Sequence, residues 1–149
     1  MSIASFDHVA VPCEHLREML IFYRALGFDA PEPEAWLARS EESFAVHFGA
    51  QKINFHAPAR WRNPKFTLRA PASAPGCGDF CFVWNGDEDD LLASFLAASA
   101  TVEEGPVERR GARGLGTSFY TRDPDGNLLE FILYAGYETS RSEDDSLVS

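Results

Sequence analysis

A turn-forming segment near the end of the chain, DPDGN at residues 123–127, constrains the fold more than any other feature. Pro124 fixes its own φ, Gly126 tolerates a positive φ, and the Asp and Asn side chains can bond nearby backbone groups. Short β-prone runs lie on either side, at residues 117–121 and 128–133. The segment therefore predicts a β-hairpin whose two strands pair across this turn.

One charged residue interrupts the second of these strands. Glu130 lies between Leu129 and Phe131 in an otherwise apolar run. An ionised carboxylate in such a strand is costly unless a cation or hydrogen bonds compensate it. Glu130 is therefore the first candidate for a functional residue, either as a metal ligand or as a catalytic group.

The first half of the chain predicts a β-α-β-β-β order. Residues 14–25 carry apolar side chains at helical spacing, and Gly27 provides a stop signal. Residues 44–48 and 51–56 alternate around a Gly-Ala turn and predict a hairpin. The other strands are predicted at residues 6–11 and, more weakly marked, at 35–38.

The second half predicts the same order again. It contains a strand at residues 79–84, a helix that begins at the acidic segment 87–90, and a short strand at 102–107. A glycine-rich loop at 108–116 then leads to the DPDGN hairpin. We expect one domain over residues 1–137, with modules at about 5–57 and 78–134, a linker at 58–77 and a disordered acidic tail at 138–149.

Strand parity predicts one apolar and one polar face in each module. Residues two apart in a strand share a face, so the large apolar residues of the strands point toward the helices. A second set of side chains takes the opposite face and would line a polar concavity: His8, Asn54, His56, Asp79 and Glu130.

Composition excludes several classes of function. A formal net charge of −10 disfavours nucleic acid and anionic membrane surfaces as partners. No apolar run approaches the roughly 18 residues of a membrane span, and no secretory leader is visible, so we expect a cytoplasmic protein. The three cysteines form no CxxC pair, which disfavours a disulfide framework and a thiolate zinc site.

The order of elements and the motifs together resemble the vicinal oxygen chelate superfamily, which includes glyoxalase I, extradiol dioxygenases, fosfomycin-resistance enzymes and bleomycin-binding proteins. The resemblance covers roughly residues 5–134 and rests on FDHVAV at 6–11, FYRALGF at 22–28 and DPDGNLLE at 123–130. A narrower likeness to the dioxygenase-like glyoxalase-domain proteins rests on QKINFH at 51–56 and VEEGPV at 102–107.

This resemblance implies an α+β fold in which paired βαβββ modules form a cupped mixed sheet with helices on its outer face. It also implies a divalent metal such as Fe, Mn, Ni or Zn, and a homodimer. The family's ligand positions fall on His8, Asn54, Asp79 and Glu130. Asn54 and Asp79 depart from the usual residue types, and His56 could replace either as a ligand.

The resemblance predicts a metal-dependent enzyme that chelates vicinal oxygens of a small substrate, as a lyase, an isomerase or a ring-cleaving dioxygenase. The ligands would be His8 and Glu130 with Asp79 or His56 as the third. Substrate contacts would come from Asn54, Ser118 and Tyr120. The alternative is a metal-free protein that binds a small molecule or drug. Basic residues of the linker and the glycine-rich loop either gate an anionic substrate or are solvated: Arg60, Arg62, Lys65, Arg109, Arg110 and Arg113.

Overall fold

The computed structural model describes residues 1–39 and 43–137 and confirms the α+β class. The chain divides into two compact units. Unit 1 consists of Met1–Gly78 together with Asp123–Asn127, and unit 2 consists of Asp79–Arg122 and the described residues from Leu128 onward. The segment predicted as a linker, 58–77, therefore belongs to unit 1, while the predicted tail at 138–149 lies outside the described residues. None of the described helices has the length and apolar character needed to cross a membrane.

Unit 1 contains a three-stranded mixed sheet. Its strands follow the spatial order β1-β3-β2, with β1 parallel to β3 and β2 antiparallel to β3. The elements in chain order are β1 (His8–Pro12), α1 (Leu16–Leu26), α2 (Pro33–Leu37), β2 (Phe44–Phe48), β3 (Gln51–His56) and α3 (Pro58–Trp61). The predicted hairpin at 44–56 is confirmed residue for residue.

Helix α1 follows the predicted apolar pattern. Met19, Leu20, Tyr23 and Leu26 are buried, each removing a large side chain from water at a gain of about 1.5–3 kcal/mol. The helix ends at Gly27, whose φ of 108° is the left-handed conformation that glycine adopts without a steric penalty.

The strand predicted at 35–38 is wrong, because these residues belong to helix α2 and its C-cap. Glu32 caps this helix by accepting hydrogen bonds from the backbone N–H groups of Glu34 and Ala35, and Pro33 occupies its first turn. Proline at this position is preorganised for a helix start. Within the described residues, the first half is therefore β-α-α-β-β followed by α3, rather than βαβββ.

Unit 2 contains a four-stranded mixed sheet and shows the predicted βαβββ order. The strands lie in the order β4-β7-β6-β5, with β4 parallel to β7 and the other neighbours antiparallel. The elements are β4 (Asp79–Val83), α4 (Glu88–Ala97), β5 (Glu104–Gly111), β6 (Gly114–Arg122) and β7 (Leu128–Leu133). Strands β6 and β7 pair directly across the DPDGN turn, which confirms the predicted hairpin.

The glycine-rich loop predicted at 108–116 is wrong, because this segment forms most of a long β5–β6 hairpin. Its glycines serve close packing. A Cβ on Gly111 would collide with the hydroxyl of Tyr134, and a Cβ on Gly116 would lie 2.7 Å from Cγ1 of Ile132. Glycine within a strand commonly marks such a close approach of neighbouring groups.

Candidate functional site

The face of the unit 2 sheet that points away from its large aromatic residues carries the polar side chains. Strand register places Cys81, Glu130 and Tyr120 directly opposite one another on β4, β7 and β6. Asp79 lies two residues before Cys81 and shares its face. Phe82 and Phe131 point to the other face and are buried. The predicted parity of Asp79 and Glu130 is therefore confirmed.

Glu130 is oriented by a hydrogen bond from a neighbouring strand. The hydroxyl Oγ of Ser118 donates to Oε2 of Glu130 at 2.6 Å. Ser118 is completely buried, whereas Glu130 is only half-buried. A charge-assisted bond of this length fixes the carboxylate while leaving part of it accessible. Because its hydroxyl serves Glu130, Ser118 positions the carboxylate.

Tyr120 lies beside Glu130 on the same strand as Ser118 and is held by an arginine. Nε of Arg109 donates to the hydroxyl of Tyr120 at 3.2 Å, and Nη2 of the same guanidinium donates to Glu104 at 3.2 Å. Burial is the main cause that raises the pKa of Tyr120, and the charge of Glu130 adds to it. Tyr120 therefore keeps its proton at neutral pH and can donate it in a hydrogen bond. Sequence reasoning gave Arg109 no such role, because the strand pairing of this segment was not predicted.

Cys81 completes this face as a protonated thiol. Burial raises the pKa of Cys81 to about 12, and the neighbouring carboxylates of Glu130 and Asp79 add to the shift. A nucleophilic cysteine needs the opposite environment, one that favours the thiolate. Cys81 is therefore a small lining group rather than a nucleophile.

The corresponding face of unit 1 carries the histidines. Register pairs Ala10 with Asn54 and Pro12 with His56, so His8 and His56 share a face but lie four residues apart along the strands. At about 3.3 Å per residue this separation is roughly 13 Å. His47 lies opposite Lys52 on the same face. Burial and the charge of Arg60 lower the pKa of His56.

A metal site was the main expectation for these residues. Across residues 1–39 and 43–137, no three His, Cys, Asp or Glu side chains lie close enough together to hold a metal ion. In unit 2, Asp79 and Glu130 supply two carboxylates on one face, fewer than the three protein ligands of a catalytic zinc site. The residues that each unit brings together therefore do not make a metal centre, and metal ligation by His8, His56, Asp79 and Glu130 stays a prediction.

The DPDGN segment does more than turn the chain. Asp125 accepts hydrogen bonds from the backbone N–H groups of Glu14 and His15 at 2.8 and 3.0 Å, and from Nδ1 of His15 at 2.8 Å. It thereby caps helix α1, whose N-cap residue His15 makes no side-chain cap of its own.

Two further residues of this segment are buried inside unit 1. Asp123 accepts a hydrogen bond from the hydroxyl of Tyr23 at 2.7 Å, and Asn127 accepts one from the N–H of Gly78 at 2.7 Å. Sequence reasoning predicted only the turn chemistry of these residues. Their tertiary partners lie 100 and 49 residues away in sequence, and no local signal points to them.

Comparison with known proteins supports the resemblance. Residues 5–131 match the family model described as Glyoxalase/Bleomycin resistance protein/Dioxygenase superfamily. The chain is 36% identical over 90% of its length to virulence protein STM3117 of Salmonella typhimurium, of which 87% is covered, and the crystal structure of that protein superposes with a TM-score of 0.74.

Two other proteins are similar to a comparable degree. The glyoxalase domain-containing protein RDO1 of Mycosarcoma maydis is 34% identical, with 90% of this chain and 70% of that protein covered. An integron cassette protein from the mobile metagenome of V. cholerae is 34% identical, with 91% and 98% covered and a TM-score of 0.74. With a family model matched over most of its length, this chain belongs to the glyoxalase/bleomycin resistance/dioxygenase superfamily.

Proposed function

We propose that this chain is an enzyme in which Glu130 transfers a proton to or from a small oxygenated substrate bound on the polar face of unit 2. The hydrogen bond from Ser118 to Glu130 carries this proposal. A buried hydroxyl that orients a half-exposed carboxylate is the arrangement expected of an acid–base group that must meet a substrate in one geometry. The Oε1 atom of Glu130, which Ser118 does not contact, is the atom that would take the proton.

Tyr120 would stabilise negative charge that develops on a substrate oxygen. Arg109 donates to the oxygen of Tyr120, so the phenol can donate its proton either to the neighbouring carboxylate of Glu130 or to a bound substrate. A donor held in place before the reaction stabilises a developing oxyanion without reorganising. Proton abstraction by Glu130 and donation by Tyr120 together support isomerisation or elimination next to a carbonyl.

The superfamily typically uses divalent metals, and such an ion would polarise the substrate oxygen. Because no three donors come together in the described part of the chain, the acid–base role above is derived from Glu130, Ser118, Tyr120 and Arg109 alone. Members of the superfamily also bind small molecules such as antibiotics, so the second candidate function is a metal-free protein that binds a small molecule without chemistry.

Turnover measured for Glu130→Gln and for its control Glu108→Gln distinguishes the acid–base enzyme from the binding protein. We would assay three substrates of the superfamily's chemistries: the hemithioacetal of methylglyoxal and glutathione, catechol, and an epoxide with a thiol. Glu130→Gln should lower turnover by about 10²–10⁴-fold, the contribution of a general acid or base, whereas Glu108→Gln on an exposed position of β5 should not. Ser118→Ala should lower kcat by about 10-fold with little effect on KM.

The same preparations test metal dependence. Each would be assayed as purified and after addition of Mn²⁺, Fe²⁺, Ni²⁺ or Zn²⁺, with the bound metal measured by mass spectrometry. The metal hypothesis is supported if the wild type binds one metal ion per chain, Glu108→Gln keeps this ion and Glu130→Gln loses it. Turnover that Glu130→Gln leaves unchanged contradicts the proposed role of Glu130. No turnover of any of the three substrates by the wild type, with or without added metal, favours the binding protein.

A further inference from the structure

Unit 1 contains a cavity of about 80 Å³ on the polar face of its sheet. Pro12 of β1, His56 of β3 and Trp61 of α3 form one side, and Phe66, Leu68 and Arg69 from the following segment form the other. Pockets that enclose a drug-sized molecule measure roughly 300–1,000 Å³. This cavity is therefore large enough only for a small molecule or for one end of a larger one.

The walls of the cavity are fixed by hydrogen bonds. Nε1 of Trp61 donates to the backbone oxygen of Cys13 at 3.0 Å, which holds the indole at the end of β1. Arg69 donates to the backbone oxygen of Trp61, and the N–H of Phe66 donates to Asn63 at 2.9 Å. These hydrogen bonds hold the segment after α3 against the helix, so the walls of the cavity are fixed within unit 1.

The lining combines aromatic surface with positive charge. The ring of Phe66 packs edge-to-face against His56 at a centroid distance of 5.3 Å, and the guanidinium of Arg60 lies 4.7 Å from the centre of the same ring. Arg62 is paired with Glu14. Within the described ranges, neither Arg60 nor Arg69 has a carboxylate at ion-pair distance, although the chain is strongly acidic.

His56 also lines this cavity. Its ring packs against Phe66, and no side chain or backbone group among the described residues makes a hydrogen bond with its imidazole nitrogens. The ring is half-buried and lines the cavity. A polar ring held against aromatic surface in this way offers one donor and one acceptor to a bound molecule.

We infer that this cavity binds a small carboxylate with a flat apolar body. The guanidinium of Arg69 uses one of its five N–H donors on Trp61, and the remaining donors match the geometry of a carboxylate. The rings of Phe66 and Trp61 offer a surface for the flat body. A lining guanidinium beside an apolar wall, with no carboxylate at ion-pair distance among the described residues, makes an anionic ligand more favourable than a neutral one.

Benzoate and benzamide test this inference, because they share a flat ring and differ in charge. Binding to the full-length protein would be measured by isothermal titration calorimetry in a buffer free of carboxylates. We expect benzoate to bind at least about 10-fold more tightly than benzamide, and Arg69→Gln to weaken benzoate binding by about 10-fold or more. Arg60 does not line the cavity, so Arg60→Gln should weaken benzoate binding less than Arg69→Gln does. Arg110→Gln, at an exposed position of β5 in unit 2, should leave the affinity unchanged.

Arg69→Lys controls for a loss of local structure, because the side chain of Arg69 also donates a hydrogen bond to the backbone oxygen of Trp61. Lysine keeps the charge but lacks the planar fork, so its affinity should lie between those of the wild type and Arg69→Gln. Equal affinity for benzoate and benzamide overturns the inference. So does benzoate binding that Arg69→Gln leaves within twofold of the wild type, or the absence of benzoate binding at millimolar concentration.

This inference does not rest on the proposed acid–base role. Glu130→Gln should keep the affinity for benzoate, because Glu130 belongs to unit 2 and does not line the cavity. Loss of turnover in Glu130→Gln without any benzoate binding would refute only the carboxylate site. Benzoate binding that depends on Arg69, without turnover, would refute only the catalytic proposal.

Discussion

Tyr23 and Asp123 form a buried hydrogen-bonded pair, and removal of the tyrosine hydroxyl tests how much this bond contributes to stability. Tyr23 is completely buried, and its hydroxyl donates to Oδ2 of Asp123 at 2.7 Å. Burial is the main cause that raises the pKa of both groups. Tyr23→Phe removes one donor from a buried carboxylate, so we expect the free energy of unfolding in urea to fall by about 1–3 kcal/mol.

Tyr134→Phe is the matched control for this prediction. The hydroxyl of Tyr134 accepts only a long bond, 3.4 Å from the backbone N–H of Arg113. Its removal should change the free energy of unfolding by less than about 0.5 kcal/mol. Equal losses of unfolding free energy in Tyr23→Phe and Tyr134→Phe would show that the hydrogen bond to Asp123 contributes no more to stability than the long bond from Arg113.

Sequence reasoning at the level of residues was successful where a short-range rule applied. Strand parity placed Asp79 and Glu130 on one face, because side chains alternate with a fixed period of two. It could not assign Ser118 to Glu130 or Asp125 to helix α1, because these contacts depend on which segments meet in the folded chain. The segment that carried most of the fold prediction, DPDGN, therefore had a role that its turn chemistry does not reveal.

At the scale of elements, helix α1 has a cap whose strength depends on pH. Nδ1 of His15 lies 2.8 Å from Oδ1 of Asp125, whose side chain is fully buried. The hydrogen bond to Asp125 is the main cause that raises the pKa of His15 above 6.5. A raised folded-state pKa stabilises the protein below the unfolded pKa, and this contribution is lost as the pH rises through the folded value.

His15→Gln tests this cap, because glutamine can donate a hydrogen bond but does not titrate. The difference in free energy of unfolding between wild type and variant should be largest near about pH 5.5 and shrink toward about pH 9. His47→Gln is the control, since His47 has no carboxylate at ion-pair distance within the described residues. A His15→Gln difference that stays constant with pH would contradict the role of the ion pair.

The elements that were predicted wrongly share a physical cause. Residues 35–38 lack a strong helical period, yet Glu32 and Pro33 supply a cap and a start for α2. The glycines of residues 108–116 indicated a loop, whereas Gly111 and Gly116 make room for Tyr134 and Ile132 in a sheet. In both cases a residue that commonly breaks an element had another role: Pro33 starts a helix, and Gly111 and Gly116 allow close packing within a sheet.

For the whole molecule, the main architectural fact is that unit 1 is not continuous in sequence. Residues 123–127 return to it after the chain has formed most of unit 2. They supply the hydrogen-bond acceptors for the hydroxyl of Tyr23 and for the backbone N–H groups of Glu14, His15 and Gly78. Four such bonds at about 1 kcal/mol each approach the 5–15 kcal/mol that stabilises an entire domain.

A fragment of residues 1–78 should therefore fail to fold cooperatively, as judged by urea unfolding followed by near-UV circular dichroism. Attaching residues 122–128 through a flexible Gly-Ser linker should restore a cooperative transition, because the missing acceptors then return at high effective concentration. The same tethered fragment with Asp123→Ala and Asp125→Ala should behave like residues 1–78 alone. If the bare fragment unfolds as cooperatively as the tethered one, the DPDGN segment is only a turn, and its contacts in unit 1 are incidental to stability.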